Sequence, residues 1–245
     1  MNFTAPYLIT DGELSLHLHP DHLADLRASG LTDDTIRAAG VYSLPPRFIE
    51  HFFKSAPAEV ESALCFPYQD PSFARIKIFP PLGKMKYAQP PGTSARLYMP
   101  FPVRPGAVSV CEGEKKTLAA SQAGLNAVGI GGIWNWLSKG TAIDDLHRID
   151  CNEREAVIIP DSDVWDRPDL LRAVYALGRE LRDRGASVLV AQIPQESGTK
   201  VGLDDFLVAG GTVADLETFS LSSRLFRAAA WWHGRWKFKK ALEAA

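Results

Sequence analysis

Acidic side chains follow two short apolar runs of the sequence, at the points where β-strands would end. Glu112 comes directly after the run VSVC, and the pair Asp161 and Asp163 begins directly after the run VIIP. Carboxylates held close together repel one another, and a divalent cation with oxygen ligands relieves that repulsion. We therefore predict a Mg2+ site, which Mn2+ can also fill, held by Glu112, Asp161 and Asp163. Glu112 can either bind a second ion or move a proton.

Two cations and a tryptophan stand close to these acids in the sequence. Lys115 and Lys116 fall in the first turn of the helix predicted after Glu112, where cations oppose the helix dipole unless an anion lies nearby. We interpret the pair as a site for phosphate, with a solvated helical turn as the alternative. Trp134 follows the next predicted strand and can stack on a base or nucleotide, although capping of the core explains it equally well.

A second set of cations alternates with apolar residues farther upstream. Arg75 and Lys77 are two residues apart, as are Lys84 and Lys86, so each pair projects from one face of a strand. The repetition favours a basic face that binds the phosphate backbone of nucleic acid and forms one wall of a groove leading to the acids. A half-exposed antiparallel sheet with solvated lysines is the alternative.

The acids need a scaffold, and the sequence after residue 106 predicts one. Short β-branched runs alternate there with helical patterns, which is typical of an α/β fold with a mainly parallel sheet and helices on both of its faces. Ligands of such folds bind at the carboxyl ends of the strands, where the acids lie. We divide the chain into a helical N-terminal region (1–60), a basic β-rich segment (61–106), an α/β catalytic domain (107–220) and a basic, aromatic tail (221–245).

Composition narrows the class of protein. With 245 residues, of which 46% are hydrophobic and 23% charged, the chain is neither disordered nor a coiled coil. Its three cysteines form no C-x-x-C pair, which argues against a zinc ribbon or a redox dithiol and suits a reducing compartment. No apolar stretch approaches the length of a membrane span, and the first residues lack the features of a signal peptide. We expect a cytoplasmic protein that does not bind membranes.

Charge is segregated along the chain although the net charge is only -2. Residues 107–220 carry -7, and they are flanked by 61–106 with +4 and 221–245 with +5. Such segregation suits a protein that concentrates carboxylates for a metal beside a polyanion, with chance patterning as the alternative. The tail mixes three tryptophans with basic residues, and we favour a packed terminal helix over contact with single-stranded nucleic acid, a membrane or a partner protein.

Residues 107–211 resemble the TOPRIM domain, the metal-binding catalytic module of DnaG-type primases, topoisomerases and several nucleases. The similar stretches are VSVCEGEKKTLAASQAGLNAVGIGG, AVIIPDSDVWDRPDLLRAVYALGRELRDRGASVLVAQIP and KVGLDDFLVAGG. The resemblance implies that Glu112 is a general acid or base and that Asp161 and Asp163 bind magnesium. It also implies a later acid at Asp204 or Asp205, of which we take Asp205 as a further metal ligand.

The stretches LTDDTIRAAGVYSL, FPYQDPSFARIKIFPP and KYAQPPG resemble the region before TOPRIM in primase-helicases of phages and plasmids. The resemblance implies primase-like, Mg2+-dependent nucleotidyl transfer on a single-stranded DNA template with nucleoside triphosphates, in replication of a phage, plasmid or mobile element. No zinc ribbon or phosphate-binding helicase loop is present in this sequence, so template selection and helicase activity would come from a helicase or other replication protein in trans, or from another part of a longer protein.

Two alternative functions, and one departure from the family pattern, remain to be considered. A Mg2+-dependent nuclease would use the same acids with water as the nucleophile, and a catalytically silent nucleic-acid-binding module would use none of them. Lys116 stands where DnaG-type primases commonly have Asp, so one acid of the family pattern is replaced by a cation.

Overall fold

The computed structural model describes residues 18–55, 57–194, 199–223 and 226. The chain forms two compact units. The first comprises Met1–Ser94 and Tyr98–Pro102, and the second comprises Ala95–Leu97 and Val103–Ala245. The helical region and the basic β-rich segment therefore lie mostly in one unit, and the candidate site lies in the other.

The first unit consists of two short helices and an antiparallel sheet. The helices are α1 (Pro20–Ala28) and α2 (Asp33–Ala38), and the strands, in sheet order, are β1 (Tyr42–Leu44), β2 (Ser62–Pro67), β3 (Ala74–Leu82) and β4 (Met85–Ala88). Both helices end before a glycine with positive φ, Gly30 and Gly40, the conformation that commonly terminates a helix. A 3-10 helix, Pro46–Phe52, packs Ile49 and Phe52 into the core beneath the sheet.

The second unit is built on a six-stranded sheet. In chain order its strands are β5 (Leu97–Tyr98), β6 (Val108–Glu112), β7 (Ala127–Ile130), β10 (Glu155–Ile159), β11 (Ser187–Gln192) and β12 (Glu217–Ser220), and β8 (Leu137–Ser138) and β9 (Thr141–Ala142) form a separate hairpin. The order across the sheet is β12-β11-β10-β6-β7-β5. Strands β7, β6, β10 and β11 run parallel to one another, and β12 runs antiparallel to β11.

Helices cover this sheet because both of its faces are apolar. The helices are α3 (Glu114–Gln122), α4 (Pro168–Asp183) and α5 (Leu203–Val208). Residues of α3 and α5 pack with Cys111, Ile159 and Ala191 on one face. Residues that alternate with these, such as Ile158 and Val190, are buried too, and α4 contacts β10 and β11. The predicted α/β fold with a mainly parallel sheet is confirmed.

The start of the tail packs against the second unit. Phe226 is buried, with its ring centroid 5.8 Å from that of Trp165 and 6.0 Å from that of Tyr175. The tryptophans and all the cations of the predicted aromatic tail lie outside the described residues. No helix in the described part of the chain is long and apolar enough to cross a membrane. The three cysteines are buried thiols.

Candidate active site

Glu112 is the last residue of β6, and a glycine turn places it at the carboxyl end of the sheet. Gly113 has φ 95°, a conformation that side chains other than glycine rarely adopt, and its N–H donates to the Ile130 carbonyl at 2.7 Å. The Gly113 carbonyl in turn accepts from the Thr117 hydroxyl at 2.7 Å. These bonds join β6 to β7 and α3, so the position of Glu112 is fixed from both sides.

Asp161 and Asp163 follow β10 in a turn that is tied to a later loop. The turn continues into a short 3-10 helix, Ser162–Val164. Ser162 donates its N–H to the Val201 carbonyl at 3.0 Å, and its hydroxyl accepts the Val201 N–H at 2.8 Å. Because β6 and β10 are adjacent and parallel, Glu112 and Asp161 lie at the same edge of the sheet, as predicted.

Lys116 contacts the acidic turn from within α3. Its Nζ lies 2.7 Å from Oδ1 of Asp161 and 3.0 Å from Oδ2. The Asp161 side chain is only 2% exposed, so the carboxylate of this ion pair is buried. Gly202 packs against the lysine stem, since a Cβ added at Gly202 would lie 2.5 Å from Cε of Lys116.

Lys200 approaches the same carboxylates from the opposite side of the turn. Its Nζ lies 2.6 Å from Oδ2 of Asp161 and 3.7 Å from Oδ1 of Asp163. Unlike Lys116, its side chain is 54% exposed. Arg167 adds a weaker contact, with Nη1 3.4 Å from Oδ2 of Asp163. Asp161 therefore meets two ammonium groups, one enclosed and one open to solvent.

The pKa shifts at the site reflect this balance of burial and charge. Burial raises the pKa of the Glu112 carboxyl, and the charge of Asp161 raises it further, against the opposing effects of both lysines and a backbone hydrogen bond from Ile133. Burial lowers the pKa of Lys116, but attraction and hydrogen bonding by Asp161 outweigh it and raise the pKa above its ordinary value. The pKa of Lys200 is raised in the same way. Both lysines are therefore charged at neutral pH.

Asp161 and Asp163 are the residues at this turn that could hold a divalent cation. Oδ1 of Asp163 is buried and accepts no hydrogen bond from the described residues. The Lys200 ammonium stands between this oxygen and Asp161, as a cation would. Enzymes usually hold Mg2+ with one or two carboxylates, waters and substrate phosphates. The pair fits one such ion in place of Lys200, although among the described residues no three or more His, Cys, Asp and Glu side chains are grouped to hold a metal.

The later acidic segment contributes a different residue from the one selected from the sequence. Asp205 is exposed, and its Oδ2 accepts the N–H of Gly202 at 3.0 Å, which caps α5. Asp204 is buried, and its charge acts on Lys116. Sequence reasoning selected Asp205 as the later acid and did not identify Lys200. Asp204 is the second residue of α5, and its burial could be predicted only if the position of that helix against the sheet were known.

The other predicted nucleotide-binding residues of this unit lie near the same edge. Trp134 follows β7 and is 45% exposed, whereas Trp136 is buried. Trp134 is the neighbour of Ile133, whose backbone bonds Glu112. Lys115 is half-buried in the first turn of α3. An exposed indole beside the acids is available for stacking on a base, and this role stays a prediction.

The four basic residues of β3 and β4 differ in their surroundings within the first unit. Arg75 is buried, with its guanidinium 5.2 Å from the centre of the Tyr87 ring. Lys77 forms an ion pair with Asp25 of α1, and both side chains are largely buried. Lys84 and Lys86 are exposed on the turn and on β4. Lys84 and Lys86 are therefore accessible to a phosphate backbone, whereas Arg75 and Lys77 contact other side chains of the first unit.

Known proteins resemble this chain more in structure than in sequence. A family described as a domain of unknown function (DUF3854) matches residues 105–214, slightly less than half of the chain. No curated protein matches the sequence significantly. A structure of the DnaG primase catalytic domain bound to ssDNA has a TM-score of 0.57 at 16% identity, covering 89% of this chain and 82% of that one. A structure of the DnaG catalytic core has a TM-score of 0.52 at 17% identity, covering 89% and 81%. The chain therefore has the fold of the DnaG primase catalytic core, with its TOPRIM domain.

Proposed function

We propose that this protein is a primase-like nucleotidyltransferase that joins nucleotides on a single-stranded DNA template in the presence of Mg2+. The observation that carries the proposal is the placement of Glu112, Asp161 and Asp163 after adjacent parallel strands, at the carboxyl edge of one sheet. The DnaG-like fold supports the same reaction class, because one of its solved relatives is a primase catalytic domain bound to ssDNA. We further propose that the protein serves replication of a phage, plasmid or mobile element, with a helicase acting in trans.

The chemistry follows from the positions of the acids. Asp161 and Asp163 would hold the ion together with the phosphates of a nucleoside triphosphate. When bound, Mg2+ neutralises phosphate charge and aligns the reacting groups. The 3' hydroxyl oxygen forms a bond to the α-phosphorus, the bond to the bridging oxygen breaks, and pyrophosphate leaves. Glu112 accepts the hydroxyl proton, and the enclosed Lys116 keeps Asp161 oriented throughout.

Substrate binding draws on groups outside the acidic turn. We propose that Trp134 stacks on a base and that Lys115 contacts phosphate. Lys200, whose side chain is exposed, can leave the carboxylates and pair with the triphosphate once the metal binds. Lys84 and Lys86 would attract the phosphate backbone of the template through their charge alone. Arg75 and Lys77 would stabilise the protein sheet that carries them, through their contacts with Tyr87 and Asp25.

A single gel assay tests the proposal. The protein is given labelled nucleoside triphosphates and single-stranded DNA, with Mg2+, with Mn2+ or with a chelator, and both extension and cleavage are scored. We expect metal-dependent extension by the wild type and a loss of about 100-fold or more in Asp163→Asn, because that carboxylate contacts the ion. The matched control is Asp183→Asn, which changes an exposed acid at the end of α4 and should keep wild-type activity.

Other outcomes would select the alternatives. Cleavage without extension would make the protein a nuclease that uses the same acids. Binding of single-stranded DNA with neither product would make it a catalytically silent binding module.

A further inference from the structure

Ser162 lies between Asp161 and Asp163 in the chain, and both its main chain and its side chain bond to a later loop. Its N–H donates to the Val201 carbonyl at 3.0 Å, and its hydroxyl accepts the Val201 N–H at 2.8 Å. Only 1% of the residue is exposed. A hydroxyl enclosed in this way cannot touch a substrate, so any part that it plays in a reaction passes through Val201.

The loop that Ser162 holds carries Lys200, which directly precedes Val201. The Lys200 Nζ lies 2.6 Å from Oδ2 of Asp161 and 3.7 Å from Oδ1 of Asp163. The lysine side chain is 54% exposed, so packing does little to orient it. The Val201 side chain, in contrast, packs against the apolar core of the second unit. The loop is therefore anchored at Val201, and the direction of Lys200 depends on the backbone at that anchor.

The Ser162 hydroxyl acts on this backbone at one peptide group. The N–H of Val201 and the carbonyl of Lys200 belong to the same planar unit, which ends at the Cα of Lys200. A hydrogen bond that fixes the N–H therefore also fixes the direction in which the lysine side chain leaves the loop. Without the hydroxyl, the N–H would have to turn toward another acceptor, and the lysine would turn with it.

We infer that Ser162 is a positioning residue for the nucleoside triphosphate, because its hydroxyl directs Lys200 to the acidic turn. The inference rests on the proposed function, which assigns Lys200 to the triphosphate, and it adds the residue through which the turn controls that lysine. Ser162 should then affect the binding of the nucleotide and not the formation of the new bond. It should do so only while position 200 carries an ammonium group.

A double-mutant cycle tests this dependence with the wild type, Ser162→Ala, Lys200→Met and the double variant. Isothermal titration with ATP and Mg2+ gives Kd, and the extension assay gives KM and kcat. We expect Kd and KM to rise about 5- to 10-fold in Ser162→Ala and about 10- to 100-fold in Lys200→Met, with kcat nearly unchanged. The double variant should match Lys200→Met, because the hydroxyl has no ammonium group left to direct.

Thr32→Ala is the matched control for the loss of a hydroxyl acceptor. The Thr32 hydroxyl accepts the N–H of Thr35 at 3.3 Å at the start of α2, in the first unit. This variant should lower Tm and leave Kd and KM unchanged. A purely structural Ser162 would behave in the same way. If Ser162→Ala does not fold, Ser162→Cys, whose thiol is a weaker acceptor, takes its place in the cycle.

Each outcome separates the inference from the proposed function. Additive effects of the two substitutions overturn the inference, and so does an unchanged Kd in the Ser162 variant. It also fails if neither Ser162 variant folds, because the role of the hydroxyl is then structural, or if the wild type does not bind ATP. Non-additive effects on Kd in a protein without extension activity would contradict the function and leave the inference standing. Extension activity with additive effects would do the reverse.

Discussion

Replacing Asp161 by Asn should destabilise the protein, although repulsion among the acids alone predicts the opposite. If Asp161 were only one member of an acidic cluster, replacing it by Asn would remove like-charge repulsion and nothing else. The variant would then be at least as stable as the wild type. The structure reverses this expectation, because the buried carboxylate contacts two ammonium groups at 2.6 and 2.7 Å. The neutral amide would leave the enclosed Lys116 without its main counter-charge.

The magnitude follows from the burial of each partner. Removing one member of a buried ion pair costs about 3 to 5 kcal/mol, and the loss at the exposed Lys200 adds less than about 1 kcal/mol. Since Lys116 is partly solvated, we expect the lower end, about 3 kcal/mol. For a chain of this size that corresponds to a fall of about 6 to 12 °C in Tm.

Urea and thermal unfolding, followed by circular dichroism, measure this loss. Asp161→Asn combined with Lys116→Met removes both buried charges, and the double variant should recover most of the stability. The control Asp183→Asn, at an exposed position, should stay within about 0.5 kcal/mol of the wild type. An Asp161→Asn protein that unfolds at or above the wild-type temperature would refute the assignment of Asp161 and Lys116 as a stabilising pair.

Three further results are expected. Gly202→Ala should lower stability by about 1 to 3 kcal/mol and reduce extension, because its φ of -87° suits alanine but the added methyl does not fit; unchanged urea unfolding would contradict the close packing. Trp134→Ala should weaken single-strand binding by about 1 to 3 kcal/mol with little change in Tm, and unaltered affinity in fluorescence titrations would exclude stacking. Burial, together with the charge of His19, lowers the pKa of His22 from 6.5 to about 4, so the neutral ring stabilises the fold above pH 6.5 and this contribution is lost as the pH falls toward 4. His22→Gln should lack that acid-dependent loss of about 3 kcal/mol in unfolding measured from pH 7 to pH 4, and an identical pH slope in both proteins would disprove it.

The sequence predicts the acids at the sheet edge because they depend on short-range features. A β-branched run followed by an acid predicts both a strand and the position of its carboxyl end. Where two such strands are adjacent and parallel, their acids lie at the same edge of the sheet. The partner of Lys116 is not predictable in this way, since Asp161 lies 45 residues away and the contact needs a loop to dock. Lys77 presents the same difficulty, because its partner Asp25 belongs to a helix 52 residues earlier. Periodicity predicts which residues share a strand face but not what covers that face.

The two bonds between Ser162 and Val201 have a consequence for how related chains should vary. Val201 makes both bonds through its main-chain N–H and carbonyl, and its side chain packs against the apolar core, so other apolar side chains can replace it. Ser162 takes part through its hydroxyl in a buried position, where a bulkier residue does not fit and a smaller one removes the acceptor. Homologous sequences should therefore vary among apolar residues at position 201 and stay constant at 162, so identity scores would detect only one half of the contact that holds the loop with Lys200 and Gly202 at the acids.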